Sequence, residues 1–164
     1  PLMKLLIQQI EELLLTLLIR LHNIIKLVYR IHLYMYSKTT KKINITVKPF
    51  YLEDQSDPED NHYVWAYQVT INNNGVDTVQ LKNRRWKIID SSGKSREVKG
   101  EGVVGEQPIL KPGQKFEYTS GAPLTTPSGF MSGHYEMIGK NGNEFDVEIP
   151  LFSLDSPFEI KNIN

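Results

Sequence analysis

Gly100 to Pro108 reads GEGVVGEQP, and its glycines stand in the G-x-G-x-x-G spacing that lets a backbone approach a pyrophosphate. That chemistry needs a buried strand before the glycines and a helix after them, whose N-terminus receives the phosphate. Here Glu106, Gln107 and Pro108 follow Gly105, and Pro112 and Gly113 come soon after, which breaks a helix before its first turns form. No dinucleotide is expected to bind, and no cofactor is expected. Two readings stay open for the segment. It is a connection crossing between sheets, whose glycines permit unusual backbone angles. Otherwise it is an exposed binding loop: Gly100, Gly102 and Gly105 hold Val103 and Val104 at an apolar apex, and Glu101, Glu106 and Gln107 form the polar rim.

The other reactive residue types form no catalytic pattern. Beyond Ser37 the neutral-pH proton carriers are His62 and His134, and neither has a partner evident in sequence. Ser120, Ser128 and Ser132 each precede a glycine, but none sits in G-x-S-x-G. No enzymatic activity is expected. His134 falls on the strand face opposite Tyr135 and Met137, which suits a structural or surface role, and it is kept as a candidate binding residue. Glu53, Asp54, Asp57, Glu59 and Asp60 form an acidic loop without the alternating oxygen ligands of a calcium loop. A solvated, mobile loop and no metal site are expected, with His62 as a lone imidazole. Lys82, Arg84, Arg85 and Lys87 surround Trp86, but alternation puts Arg84, Trp86 and Ile88 on one face and Arg85, Lys87 and Ile89 on the other. The absence of a basic stripe argues against nucleic acid. Arg84, on the side read as core-facing, demands a charge partner or an exposed cleft.

These residues must be positioned by a modest fold. The chain has 164 residues, 40% of them apolar, enough for one core and too few for two ordinary domains. It has no cysteine, which excludes disulfides and thiolate chemistry and is compatible with the cytoplasm. Its formal net charge is zero, so no global field gathers nucleic acid. Residues 1–36 read as an amphipathic helical extension, with Lys4, Gln8, Glu12, Thr16, Arg20, Asn23, Lys26 and Arg30 in one polar stripe. Its longest stretch without charge or amide, Leu13 to Ile19, is far below the roughly 20 residues of a membrane span. No small-residue cleavage site of a secretory signal follows it. Against the bland reading of a peripheral helix without a role of its own, the extension is a helix lying on a membrane or a partner, an oligomerising helix, or residues foreign to the natural protein with Met35 as the true start. The last is slightly preferred, and self-association through the helix stays open.

Residues 37–164 read as the globular domain. Period-two alternation, broken by Gly, Pro and Asn clusters, predicts antiparallel strands. Tyr63, Trp65, Tyr67, Val69 and Ile71 share one face of a strand, and Asn72-Asn73-Asn74-Gly75 supplies a turn tolerant of positive φ. Further strands are expected at Ile43 to Glu53, Val79 to Asp90, Ser95 to Lys99, Lys115 to Gly121, Gly133 to Ile138 and Glu144 to Leu151. About seven strands in all predict an all-β, antiparallel immunoglobulin-like or fibronectin type III-like sandwich.

Over roughly Ile43 to Phe152 the sequence resembles the ApaG family. AYQVTI at Ala66 to Ile71, the Arg84 and Trp86 pair, GEGVVGEQP, LKPG, FEYTSG ending at Gly121 and MSGHYEM at Met131 to Met137 follow that family's order and spacing. The resemblance implies a small bacterial β-sandwich protein associated with cobalt and magnesium tolerance, and it carries no established reaction. The expected action is therefore binding, first of a protein partner through the glycine-rich loop. The competing expectation is a regulator that binds a divalent metal, or a phosphorylated metabolite near Arg84 or the loop.

Overall fold

The computed structural model describes residues 12–24 and 35–157. The chain divides into two units, 1–35 and 36–164. In the first, residues 12–24 are helical, and the Thr16 hydroxyl donates to the Glu12 carbonyl one turn back at 2.8 Å. Lys4, Gln8, Lys26 and Arg30 of the expected polar stripe lie outside the described residues. No helix among the described residues is long and apolar enough to cross a membrane.

The second unit is the expected all-β antiparallel sandwich. Its strands are β1 (Tyr36–Thr40), β2 (Ile43–Tyr51), β3 (Tyr63–Asn73), β4 (Val79–Asp90), β5 (Ser95–Glu101), β6 (Ile109–Leu110), β7 (Lys115–Leu124), β8 (Ser128–Ile138) and β9 (Glu144–Asp155). One sheet runs β1-β2-β3-β7 and the other β5-β4-β8-β9, with the short β6 also paired to β4. Nine strands replace about seven because β1 and β6 carry no apolar alternation. β1 takes Tyr36 out of the expected extension and into the sandwich.

Strand β3 shows why the sheets face each other. Its residues alternate strictly between buried and half-buried, so Tyr63, Trp65, Tyr67, Val69, Ile71 and Asn73 all point into the core. From β2 come Ile43, Ile45 and Val47, and the opposite sheet answers with Leu81, Trp86, Met131, Tyr135, Val147, Phe152 and others. Tyr67 and Trp86 meet edge-to-face across the two sheets, 5.1 Å between centroids, and Phe152 lies 6.0 Å from each. Such pairs add about 0.5–1.5 kcal/mol beyond their buried area.

Two features of the sheets set up the site. In β4 the pairing with β8 shifts between Leu81 and Asn83, leaving Lys82 as a bulged residue. The bulge inverts the parity of the strand, so Val79 and Leu81 point inward before it and Arg84, Trp86 and Ile88 after it. The two seams of the sandwich also differ. Where β1 meets β9, the Tyr36 and Ser153 hydroxyls hydrogen-bond at 2.8 Å, the Glu148 amide donates to Thr40 Oγ1 at 3.2 Å, and Lys38 pairs with Glu148. Where β5 faces β7, Arg96 Nη2 donates to the Pro123 carbonyl at 2.9 Å.

The turn after β3 departs from expectation. No residue from Asn72 to Gly75 adopts positive φ. Asn73 organises the turn through its side chain instead: Nδ2 donates to the carbonyls of Asp77 (2.8 Å) and Leu110 (2.9 Å), and Oδ1 accepts from the Gly75 amide (2.9 Å).

Candidate functional site

The glycine-rich segment leaves β5 and becomes a tight hairpin tip. The Val103 and Glu106 main chains exchange hydrogen bonds of 2.8 and 2.9 Å around Val104 and Gly105, whose φ values are 45° and 82°. Two central residues at positive φ characterise a primed hairpin turn, which normally takes Asn-Gly. A β-branched residue there is a true backbone outlier. Gly102, also at positive φ, is irreplaceable in this geometry, because a Cβ on it would stand 2.1 Å from the Glu106 carbonyl oxygen. The amides of Gly102, Val103 and Glu106 are spent on backbone carbonyls and are not available to a phosphate.

The bulge in β4 anchors this tip. The Lys82 carbonyl accepts from the Gly102 amide (2.8 Å) and from Gln107 Nε2 (2.9 Å), and Lys82 Nζ returns a bond to Gln107 Oε1 (3.0 Å). Two expectations are corrected here. Gln107 is half-buried and structural rather than part of an exposed rim. Val103 is fully buried in the core, since the two valines point oppositely and one of them must cover the interior. Val104 alone is the apolar apex, 55% exposed, with Glu101, Gly105 and Glu106 exposed around it.

Arg84 finds its partner in the same segment. Its Nη1 donates to the carbonyls of Glu101 and Gly102, both at 2.7 Å. The guanidinium lies over the bare Cα of Gly100, its direct neighbour on β5, where an added Cβ would stand 3.0 Å from Nη1. The charge partner demanded by sequence is thus a pair of backbone dipoles. Arg84 also neighbours Tyr135 on β8. The Tyr135 hydroxyl hydrogen-bonds that of Tyr118, on the opposite sheet, at 2.5 Å, and Tyr67 is registered with Ser120 beside them. Burial pushes all three phenols above their ordinary range, and the positive charge of Arg84 pulls each partly back. Sequence reasoning placed Tyr67 on the core face but missed this polar cluster, whose only signal was several tyrosines at inward positions.

His134 lies elsewhere, on the outer face of the second sheet between Arg85 on β4 and Glu148 on β9. Its Nε2 is 3.9 Å from Asp146, and it lines an open groove of about 640 Å³ with Lys38, Arg85, Lys87, Ser132 and Glu148. Arg85 pairs with Glu136 at 2.6 Å; hydrogen bonds from Asn83 and then Arg85 hold the Glu136 carboxyl below its usual range. Alternation thus divides the basic cluster between two faces. In the acidic segment, Asp57 Oδ1 accepts from the amides of Glu59 and Asp60, and the main chains of Asp57 and His62 pair. Among the described residues, no three His, Cys, Asp or Glu side chains gather as a metal site.

Comparison with known proteins adds a family to this geometry. The family model described as the ApaG domain matches residues 53–139. The protein ApaG of Paramagnetospirillum magneticum is 62% identical over 130 residues, 79% of this chain and all of that one. That of Brucella canis is 56% identical over the same span and coverage. A crystal structure of the ApaA protein from Bordetella pertussis superposes with a TM-score of 0.69 at 47% identity, covering 71% of this chain and 95% of the other.

Proposed function

This chain belongs to the ApaG domain family, and from that premise we propose that it is a non-enzymatic binding protein that docks a protein partner through its glycine-rich hairpin tip. The observation that carries this reading is Val104. It is an exposed β-branched residue at φ 45°, directly after a fully buried valine. Such a conformation costs on the order of 1–3 kcal/mol and persists only where the surroundings impose it. Gly102, Gln107 and Arg84 supply that constraint. A tip held rigid in advance loses little entropy on binding, which suits recognition. Exposed Glu101 and Glu106 flank the apex with charge, and Ile109, exposed on β6, adds apolar surface further along the same segment.

The family resemblance ties this docking to cobalt and magnesium tolerance in the cytoplasm, and the cation effect is assigned to the complex with the partner rather than to a metal centre in this chain. Affinity capture from cell extract by the purified chain, with cross-link mapping and metal analysis, tests the reading. One protein should be captured stoichiometrically, its cross-links should fall at 101–109, and Val104→Asp should abolish capture without lowering the thermal midpoint. Capture that survives Val104→Asp, or a divalent metal bound one per chain, overturns it.

A further inference from the structure

The guanidinium of Arg84 is at an unusual place for a charge. It projects from the inward face of β4, between Gly100 and Tyr135, at the seam where β5 faces β7. Its two hydrogen bonds to the tip engage Nη1 alone, and among the described residues no carboxylate pairs with it. The groups around it are donors. Tyr118 and Tyr135 carry two hydroxyl hydrogens and share one hydrogen bond, so one hydrogen is left to donate. Ser120, half-buried on β7 and registered with Tyr67, spends its hydroxyl on a hydrogen bond with Tyr67. Burial keeps the phenols protonated, so none becomes the anion that would balance Arg84.

We propose that this seam binds the carboxylate group of a small molecule, gripped by the edge of the Arg84 guanidinium not used by the hairpin tip and by the spare hydroxyl of the Tyr118–Tyr135 pair. A planar carboxylate matches the guanidinium fork and accepts several hydrogen bonds at once. Charge selects it over phosphate. One guanidinium neutralises a monoanion, whereas a phosphate ester near neutral pH is largely dianionic and would leave a charge uncompensated in a half-buried seam. The carboxylate would use the edge of Arg84 that does not hold the hairpin tip, so this proposal does not rest on partner docking at Val104.

Acetate and inorganic phosphate, each titrated into the full chain at ionic strength matched with sodium chloride, distinguish the chemistries. The readout is the NMR resonance of the Arg84 Nε–H. Acetate should move it saturably with a Kd of about 1–10 mM, and phosphate should bind at least about fivefold more weakly. Arg84→Lys should weaken acetate by about tenfold or more, since the fork is lost. Because Arg84 also holds the tip, the double variant Tyr118→Phe with Tyr135→Phe is the second test: it leaves every Arg84–carbonyl bond in place, removes both hydroxyls of the pair, and should weaken acetate by about threefold or more. Absence of saturable movement up to about 100 mM acetate, phosphate binding as tightly as acetate, or unchanged acetate affinity in the Tyr118→Phe with Tyr135→Phe double variant overturns the proposal.

Discussion

Asn73 holds three hydrogen bonds from a position enclosed by protein, and each ends on a backbone group that has to be satisfied somewhere. Asn73→Ala should therefore lower stability by about 2–4 kcal/mol in urea denaturation, and Asn73→Asp should not rescue it, because a carboxylate cannot donate to the two carbonyls. The paired valines should separate cleanly. Val103→Ala should cost about 2 kcal/mol from lost burial, whereas Val104→Gly should leave stability unchanged or raise it by about 1 kcal/mol by relieving the positive φ. The buried phenols predict a pH dependence. Their folded pKa values lie above the unfolded value of about 10, so the neutral form is favoured by folding, and its contribution is fully present below that pH. Above about pH 10 the unfolded chain releases protons that the folded chain keeps, and stability should fall by about 1.4 kcal/mol per pH unit for each such tyrosine. Urea midpoints at pH 8, 10 and 11 should show this decline, and Tyr118→Phe should make it shallower.

Strands β4, β8 and β9 meet at a glycine. A Cβ on Gly133 would stand 2.0 Å from the Arg85 carbonyl oxygen, beside the register shift between β8 and β9. Gly133→Ala should therefore spread the second sheet and cost at least about 3 kcal/mol in thermal or urea unfolding. Gly105→Ala, which meets nothing within 4 Å but keeps a positive φ, should cost only about 1 kcal/mol. Legibility from sequence follows the same lines. Strand β3 could be read because five apolar residues alternate on one face, and Val79–Asp90 emerged with its bounds intact. Strand β1 could not, because YSKTT is polar on both faces and exists through its pairing with β2. The bulge at Lys82 has no residue signature, so the anchoring of the hairpin tip was invisible. The same holds for the partners of Arg84, since carbonyls belong to every residue. That Val103 is buried and Val104 exposed was likewise unreadable, two identical side chains giving no cue to their direction.

At the scale of the whole molecule, the buried apolar residues among those described lie between Ile43 and Leu154, and the sandwich unit begins at Tyr36. Removing residues 1–34 should accordingly leave the thermal midpoint of the sandwich within about 2 °C by calorimetry. A larger fall, or loss of a dimer on sizing, would show that the first unit supports the second. The order of pairing has a further consequence for the chain as it is made. Strand β3 hydrogen-bonds to β2, already synthesised, and to β7, which starts at Lys115, about 40 residues after β3 ends at Asn73. At a synthesis rate of roughly 5–20 residues per second, the aromatic face of β3 waits about 2–8 s for that neighbour to be polymerised. During this interval the nascent chain carries Trp65 and Tyr67 on a strand with one edge unpaired, so ribosome-associated chaperones that hold extended apolar segments should meet it there, before the first sheet can close.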